Sequence, residues 1–127
     1  MLNFVNTHIV DKGRPITVGI YYINFDKAVN LIDKLKIYEN VISERRYKNH
    51  CEVIVDKDGF EVALIALPMT DSARGYKVHY SFIDKQLFGE DNRIEFFMNR
   101  IMPSTVDYNM KNEYKSEEFY EPRFLLY

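Results

Sequence analysis

The sequence predicts an α+β (or α/β) fold of order β-α-β-β-β-α, a sandwich of helices over a sheet, with an aromatic C-terminal arm. Three observations carry this. Residues 16–23 (ITVGIYYI) are β-branched and aromatic, the composition of a buried strand, and lead into apolar residues at helical spacing. Two apolar runs flank Asp56-Lys57-Asp58-Gly59, a turn sequence. Beyond Pro103 the periodicity stops while aromatic residues persist. The domain is expected over residues 1–103 and the arm over residues 104–127.

The first strand follows the Gly13-Arg14-Pro15 breaker. Asn24 is placed to cap the next helix, with Asp26 favourable in its first turn. Ala28, Leu31, Ile32, Leu35 and Tyr38 form its stripe, which predicts an end near Asn40, and residues 41–47 continue the helix or form a short turn. Residues 51–55 and 60–67 read as a hairpin in which Gly59 takes positive φ and Pro68 stops the second strand. Residues 76–83 read as a further strand with Val78, Tyr80 and Phe82 on one face. Asp91 or Asn92 caps a helix over residues 93–102, with stripe Ile94, Phe97, Met98 and Ile101, ended by Pro103; Phe96 lies off that stripe and is free to meet the arm.

A chain of 127 residues fits one domain, and at this size roughly two thirds of the unfolded surface is buried, enough for a core without staples. Lys+Arg 17 against Asp+Glu 19 gives net charge −2, which excludes a broad basic surface for duplex DNA. The lone Cys51 rules out an internal disulfide and fits a reducing compartment. No apolar run approaches the roughly 18 residues of a membrane span, and the N-terminal residues do not read as a signal peptide. Tyr 10, Phe 9 and Trp 0, with abundant Asn, Lys and Ile, fit an AT-rich coding source such as many bacteriophages and low-GC bacteria.

Few residues invite chemistry. His50-Cys51-Glu52 groups ligand types, but neighbours on a strand point to opposite faces and cannot close a tetrahedron. Asp56, Asp58 and Gly59 echo the start of a calcium loop, yet Leu67 stands where the twelfth-position glutamate is needed. Ser72, His79 and Asp84 supply triad types without a nucleophile elbow. Arg45, Arg46, Tyr47 and Lys48, with Arg74, Tyr76 and Lys77, could form a basic-aromatic patch for single-stranded nucleic acid or phosphate; a solvated edge explains them more simply.

The stretch ALIALPMTDSARGYKVHYSFIDKQLFGEDNRIEFFMNRIMP resembles the middle of the ATPase domain of phage terminase large subunits, the DNA-packaging motors, and the similarity extends over residues 16–103. Arg74-Gly75 matches the family's Arg-Gly turn, and Asp84, closing an apolar strand, matches its magnesium-holding aspartate. The resemblance implies that Asp84 would hold metal and Arg74 would contact phosphate. Two departures argue against a self-contained ATPase: no G-x-x-x-x-G-K-[ST] loop is present, and Lys85 occupies the catalytic glutamate position.

The leading expectation is a non-enzymatic interaction protein of a bacteriophage or mobile element, acting in virion assembly or on a host factor, in the host cytoplasm or the virion. Tyr114, Phe119, Tyr120, Phe124, Leu125 and Tyr127 are the partner-binding residues of the arm, being types that anchor interfaces; the arm docks on its own domain, on a partner or on another subunit. No cofactor, no catalytic residue and no membrane is expected. The alternatives are a fragment or degenerate relative of a packaging ATPase, with Asp84 as metal residue, and a single-stranded nucleic-acid binder using Arg45, Arg46, Arg74 and Lys77.

Overall fold

The computed structural model describes residues 2–10, 14–70, 76–89, 93–105 and 123–127. Its framework is a mixed six-stranded sheet: β1 (Ile16–Tyr22), β2 (Asn40–Tyr47), β3 (His50–Lys57), β4 (Phe60–Pro68), β5 (Tyr80–Ile83) and β6 (Phe124–Leu126), in the order β2-β3-β4-β1-β5-β6. β1 runs parallel to β4 and β5, β6 runs parallel to β5, and β3 is antiparallel to both β2 and β4. Parallel strands joined through helices, with antiparallel hairpins at one edge, give the α+β class the sequence predicts.

Alternation along the central strands creates two cores. Ile16, Val18 and Ile20 face one side with Val62, Leu64, Tyr80 and Phe82, beneath helix α1 (Phe25–Leu35). Tyr21, Ile65, Leu67 and Ile83 face the other side with Leu87 and Ile101. Gly19 lies on that second face because nothing larger fits: a Cβ there would stand 2.9 Å from Val78 Cγ1 and 3.1 Å from Leu67 Cδ1. The N-terminal segment closes the α1 side. Leu2 and Val5 are buried, the Phe4 ring meets Tyr80 and Phe82 edge-on, and the Asn6 N–H donates to the Tyr80 hydroxyl.

Local chemistry explains the elements that match expectation. The Asn24 side chain accepts from the N–H groups of Asp26 and Lys27, so α1 starts where a cap is available. Asp58 (φ 53°) and Gly59 (φ 88°) are both left-handed, the backbone of a type I′ turn, and Lys57 pairs with Phe60 across it.

Four expectations are corrected. α1 ends at Leu35, and Tyr38, assigned to its stripe, sits at φ 72° with its side chain 93% exposed. Residues 41–47 are neither helix nor turn; they belong to β2, fixed by pairing with β3 across a two-residue connection between Tyr47 and His50. The strand assigned to residues 76–83 begins only at Tyr80. Val78 makes an isolated bridge to Thr105 and packs with the second core, on the opposite side from Tyr80 and Phe82. The late helix runs through α2 (Arg93–Phe96), a π turn (Phe97–Ile101) and α3 (Met102–Ser104), one residue past Pro103. The wider π turn rotates the stripe: Ile101 is buried, Phe96 and Phe97 pack on the core, and Met98 is exposed. The caps expected at Asp91 or Asn92 lie outside the described residues.

Candidate functional site

Two places in this frame hold groups that the packing alone does not use. The first is the carboxyl end of the parallel strands, between β1 and β5. From β1 the chain departs through α1 toward β2, β3 and β4; from β5 it departs the other way to β6. This divergence is where open parallel sheets form ligand crevices. Asp84, immediately after β5, occupies it at 1% exposure. Its Oδ1 accepts from Lys27 Nζ at 3.1 Å and from the Gln86 N–H at 3.0 Å, while Oδ2 is buried without a partner. Lys27 comes from the first turn of α1. Tyr127 closes the crevice: its ring lies 5.3 Å below the Lys27 ammonium, and its hydroxyl donates to the Tyr21 carbonyl at 2.8 Å. Burial pushes the Tyr21 phenol up to about 12, and burial with the neighbouring Asp84 charge raises that of Tyr127.

The donor set suits an internal counter-ion better than a divalent cation. Lys27 already neutralises Asp84, and among the described residues no three His, Cys, Asp or Glu side chains group closely enough to hold a metal. Asp84 also caps the 3₁₀ turn Lys85–Gly89 through its bond from Gln86.

The second place is the β2 edge. β2 is exposed at every residue, and no described strand lies beyond it. Two hairpins fix which backbone groups face outward. Tyr47 pairs with His50, and Lys57 with Phe60, each across two residues, and such hairpins close on a hydrogen-bonded pair. Alternation from the first hairpin turns Arg45 and Ser43 toward β3 and leaves the N–H and C=O of Glu44 and Arg46 facing solvent. Alternation from the second turns Val53 and Val55 toward β4 and Glu52 and Ile54 toward β2, so the two counts agree. A bulge between Val41 and Ser43 interrupts the ladder, which resumes with Val41 opposite Val55 and Asn40 opposite Asp56. Ile42 and Tyr47 are 52% and 68% exposed on this strand.

Ion pairs with α1 hold the edge in place. Arg46 donates to Asp33 at 2.7 Å and to Glu44 at 2.9 Å, and Lys36 donates to Glu44. These bonds make Arg46 hold its proton more firmly and lower the Glu44 carboxyl, the Arg46 bond being the larger cause. Cys51 lies beneath, buried, its thiol pushed up by burial.

The residues expected to form sites are dispersed. Arg45 and Arg46 are neighbours on a strand and point to opposite faces. Lys77 precedes β5, four strand positions away, roughly 19 Å at ~4.8 Å per spacing. Arg74, Tyr114, Phe119 and Tyr120 lie outside the described residues, as does Ser72. Phe124, Leu125 and Tyr127 are placed on their own chain's sheet: Phe124 meets Phe97 edge-on, and Leu125 and Tyr127 pack on the α1-side core. His79 and Asp84 flank opposite ends of β5, and His79 Nδ1 accepts from the Thr17 N–H. Sequence reasoning missed Lys27, whose role depends on strand order, and the β2 edge, for which the two-residue step Lys48-Asn49 was the available signal.

No family model, no curated protein and no solved structure matches the chain. Among the described residues no helix is long and apolar enough to cross a membrane.

Proposed function

We propose that this chain is a non-enzymatic interaction protein that binds a protein partner by adding a strand at β2. The observation that carries it is an edge strand exposed along its whole length, with outward-facing backbone groups at Glu44 and Arg46 and apolar side chains at Ile42 and Tyr47. Backbone bonds supply affinity in this mode, and alternate side chains supply selectivity. Described residues of the arm that was expected to bind are engaged with their own sheet, which leaves β2 as the better candidate. The origin in a bacteriophage or mobile element rests on composition and on the terminase-like resemblance of residues 16–103.

Random displayed peptides selected on the purified chain test it. Enriched peptides should be extended and should lose binding to Glu44→Pro, which removes an outward N–H and spares the β3 ladder. Failure to enrich, or binding indifferent to that proline, would sink the reading.

The packaging-ATPase alternative keeps one favourable observation, a buried carboxylate with a bare oxygen where the strand connections diverge. It requires ATP binding that depends on magnesium and is abolished in Asp84→Ala. Calorimetry showing no such binding removes it.

A further inference from the structure

We propose that the strand added at β2 is β2 of a second copy, paired antiparallel about a two-fold axis through Arg45. This rests on the edge reading above and specifies its occupant.

Symmetry restricts the choices. A two-fold axis perpendicular to the sheet keeps each side chain on its own face, so residues can meet only partners an even number of positions apart, or themselves. Three such registers fall on the charged part of the strand. Centring on Glu44 sets Glu44 against Glu44 of the second copy, and centring on Arg46 sets Arg46 against Arg46; both place like charges opposite on the α1 side. Centring on Arg45 sets Glu44 against Arg46 of the second copy, twice.

The same register satisfies the backbone. Glu44 and Arg46 are the residues whose N–H and C=O face outward, so they meet as hydrogen-bonded pairs, whereas Arg45, bonded inward to β3, meets its copy as a non-bonded pair. The unfavourable contact is Arg45 against Arg45. On the same face Arg45 pairs with Glu52 of β3, so the ladder across the junction reads Glu52, Arg45, Arg45, Glu52. Asp33 and Lys36 hold Arg46 and Glu44 on the helix side before any partner arrives, which reduces the ordering required on association. Edge charges usually prevent pairing; here each of the three registers carries one like-charge pair, and only the register centred on Arg45 adds opposite-charge pairs within the strand.

Light scattering and sedimentation of the full chain test this with two reversals, Glu44→Arg and Arg46→Glu, each checked for native circular dichroism. Each turns both cross-strand pairs repulsive, and the dissociation constant should rise roughly thirty-fold. Mixing the two variants makes both pairs attractive again, so a heterodimer should form from two weakly associating proteins. The dimer should weaken with salt. A monomeric wild type at millimolar concentration overturns self-pairing, while the peptide selection still decides the edge reading. A dimer unmoved by either reversal, or no heterodimer on mixing, also overturns it.

Discussion

Tyr127 offers the sharpest test of how the chain's end is used. It joins β6 to the crevice through its hydroxyl bond to the Tyr21 carbonyl, its edge-on contact with Phe82 at 6.5 Å and its position under Lys27. Its N–H also donates to Ile83, and its carbonyl accepts from Lys85. Tyr127→Phe removes the hydroxyl alone and should cost about 1 kcal/mol. Tyr127→Ala also removes an aromatic pair of about 0.5–1.5 kcal/mol and a cation contact of about 0.5–1 kcal/mol, for a total near 3 kcal/mol. Urea unfolding followed by far-ultraviolet circular dichroism reads the loss, and hydrogen exchange reads its location. The Ser81 and Lys85 amides, which donate to Arg123 and Tyr127, should lose protection first. If Tyr127→Ala lies within ~0.5 kcal/mol of wild type and both amides stay protected, β6 does not hold the sheet in this way. If the loss depends on protein concentration, the strand is donated between chains.

Three further outcomes follow from buried polar groups. Lys27→Met strands the Asp84 carboxylate and should cost about 2–4 kcal/mol, less than a fully buried pair because Lys27 is 39% exposed; adding Asp84→Leu should recover much of it, measured by urea unfolding. The raised Tyr21 and Tyr127 phenols mean the folded state binds those protons more tightly. Their contribution is complete below the ordinary value of 10.0 and is lost as pH rises through the folded values; for Tyr21 the change to about 12 corresponds to about 3 kcal/mol, and Tyr21→Phe should flatten alkaline unfolding curves. Ser81 Oγ is buried without a hydrogen bond, so Ser81→Ala should leave stability unchanged or raise it by up to ~1 kcal/mol; a clear loss would show that the hydroxyl has a partner.

What the sequence made legible follows from locality. β1, the Asn24 cap and the Asp58-Gly59 turn depend on residues adjacent in the chain, and each is where composition places it. In the Tyr76-to-Ile83 stretch simple alternation puts Val78 on one face with Tyr80 and Phe82, whereas the bridge to Thr105 turns that residue to the opposite face. The stripe through Met98 assumed an ordinary α-helical turn, and the π turn shifts it. In the crevice, Asp84 was visible as an acid closing an apolar strand. Its partner Lys27 was not, because their 57-residue separation is bridged only once β5 has inserted beside β1.

β2 was the least legible element for a physical reason that bears on function. A strand is recognised by one buried face, and β2 buries neither. Its Glu44, Arg45 and Arg46 favour helix as much as strand, and its conformation is imposed by β3 across the Tyr47–His50 connection. The core therefore places almost no demand on its side chains. Solubility alone would be met by any polar residues here, yet the strand keeps Ile42 and Tyr47 exposed and arranges an acid and a base two positions apart beside outward-facing backbone groups. Asp33 and Lys36 account for the ordered charge of Arg46 and Glu44, whereas the exposed apolar surface of Ile42 and Tyr47 is better explained by a partner strand than by the domain's own stability.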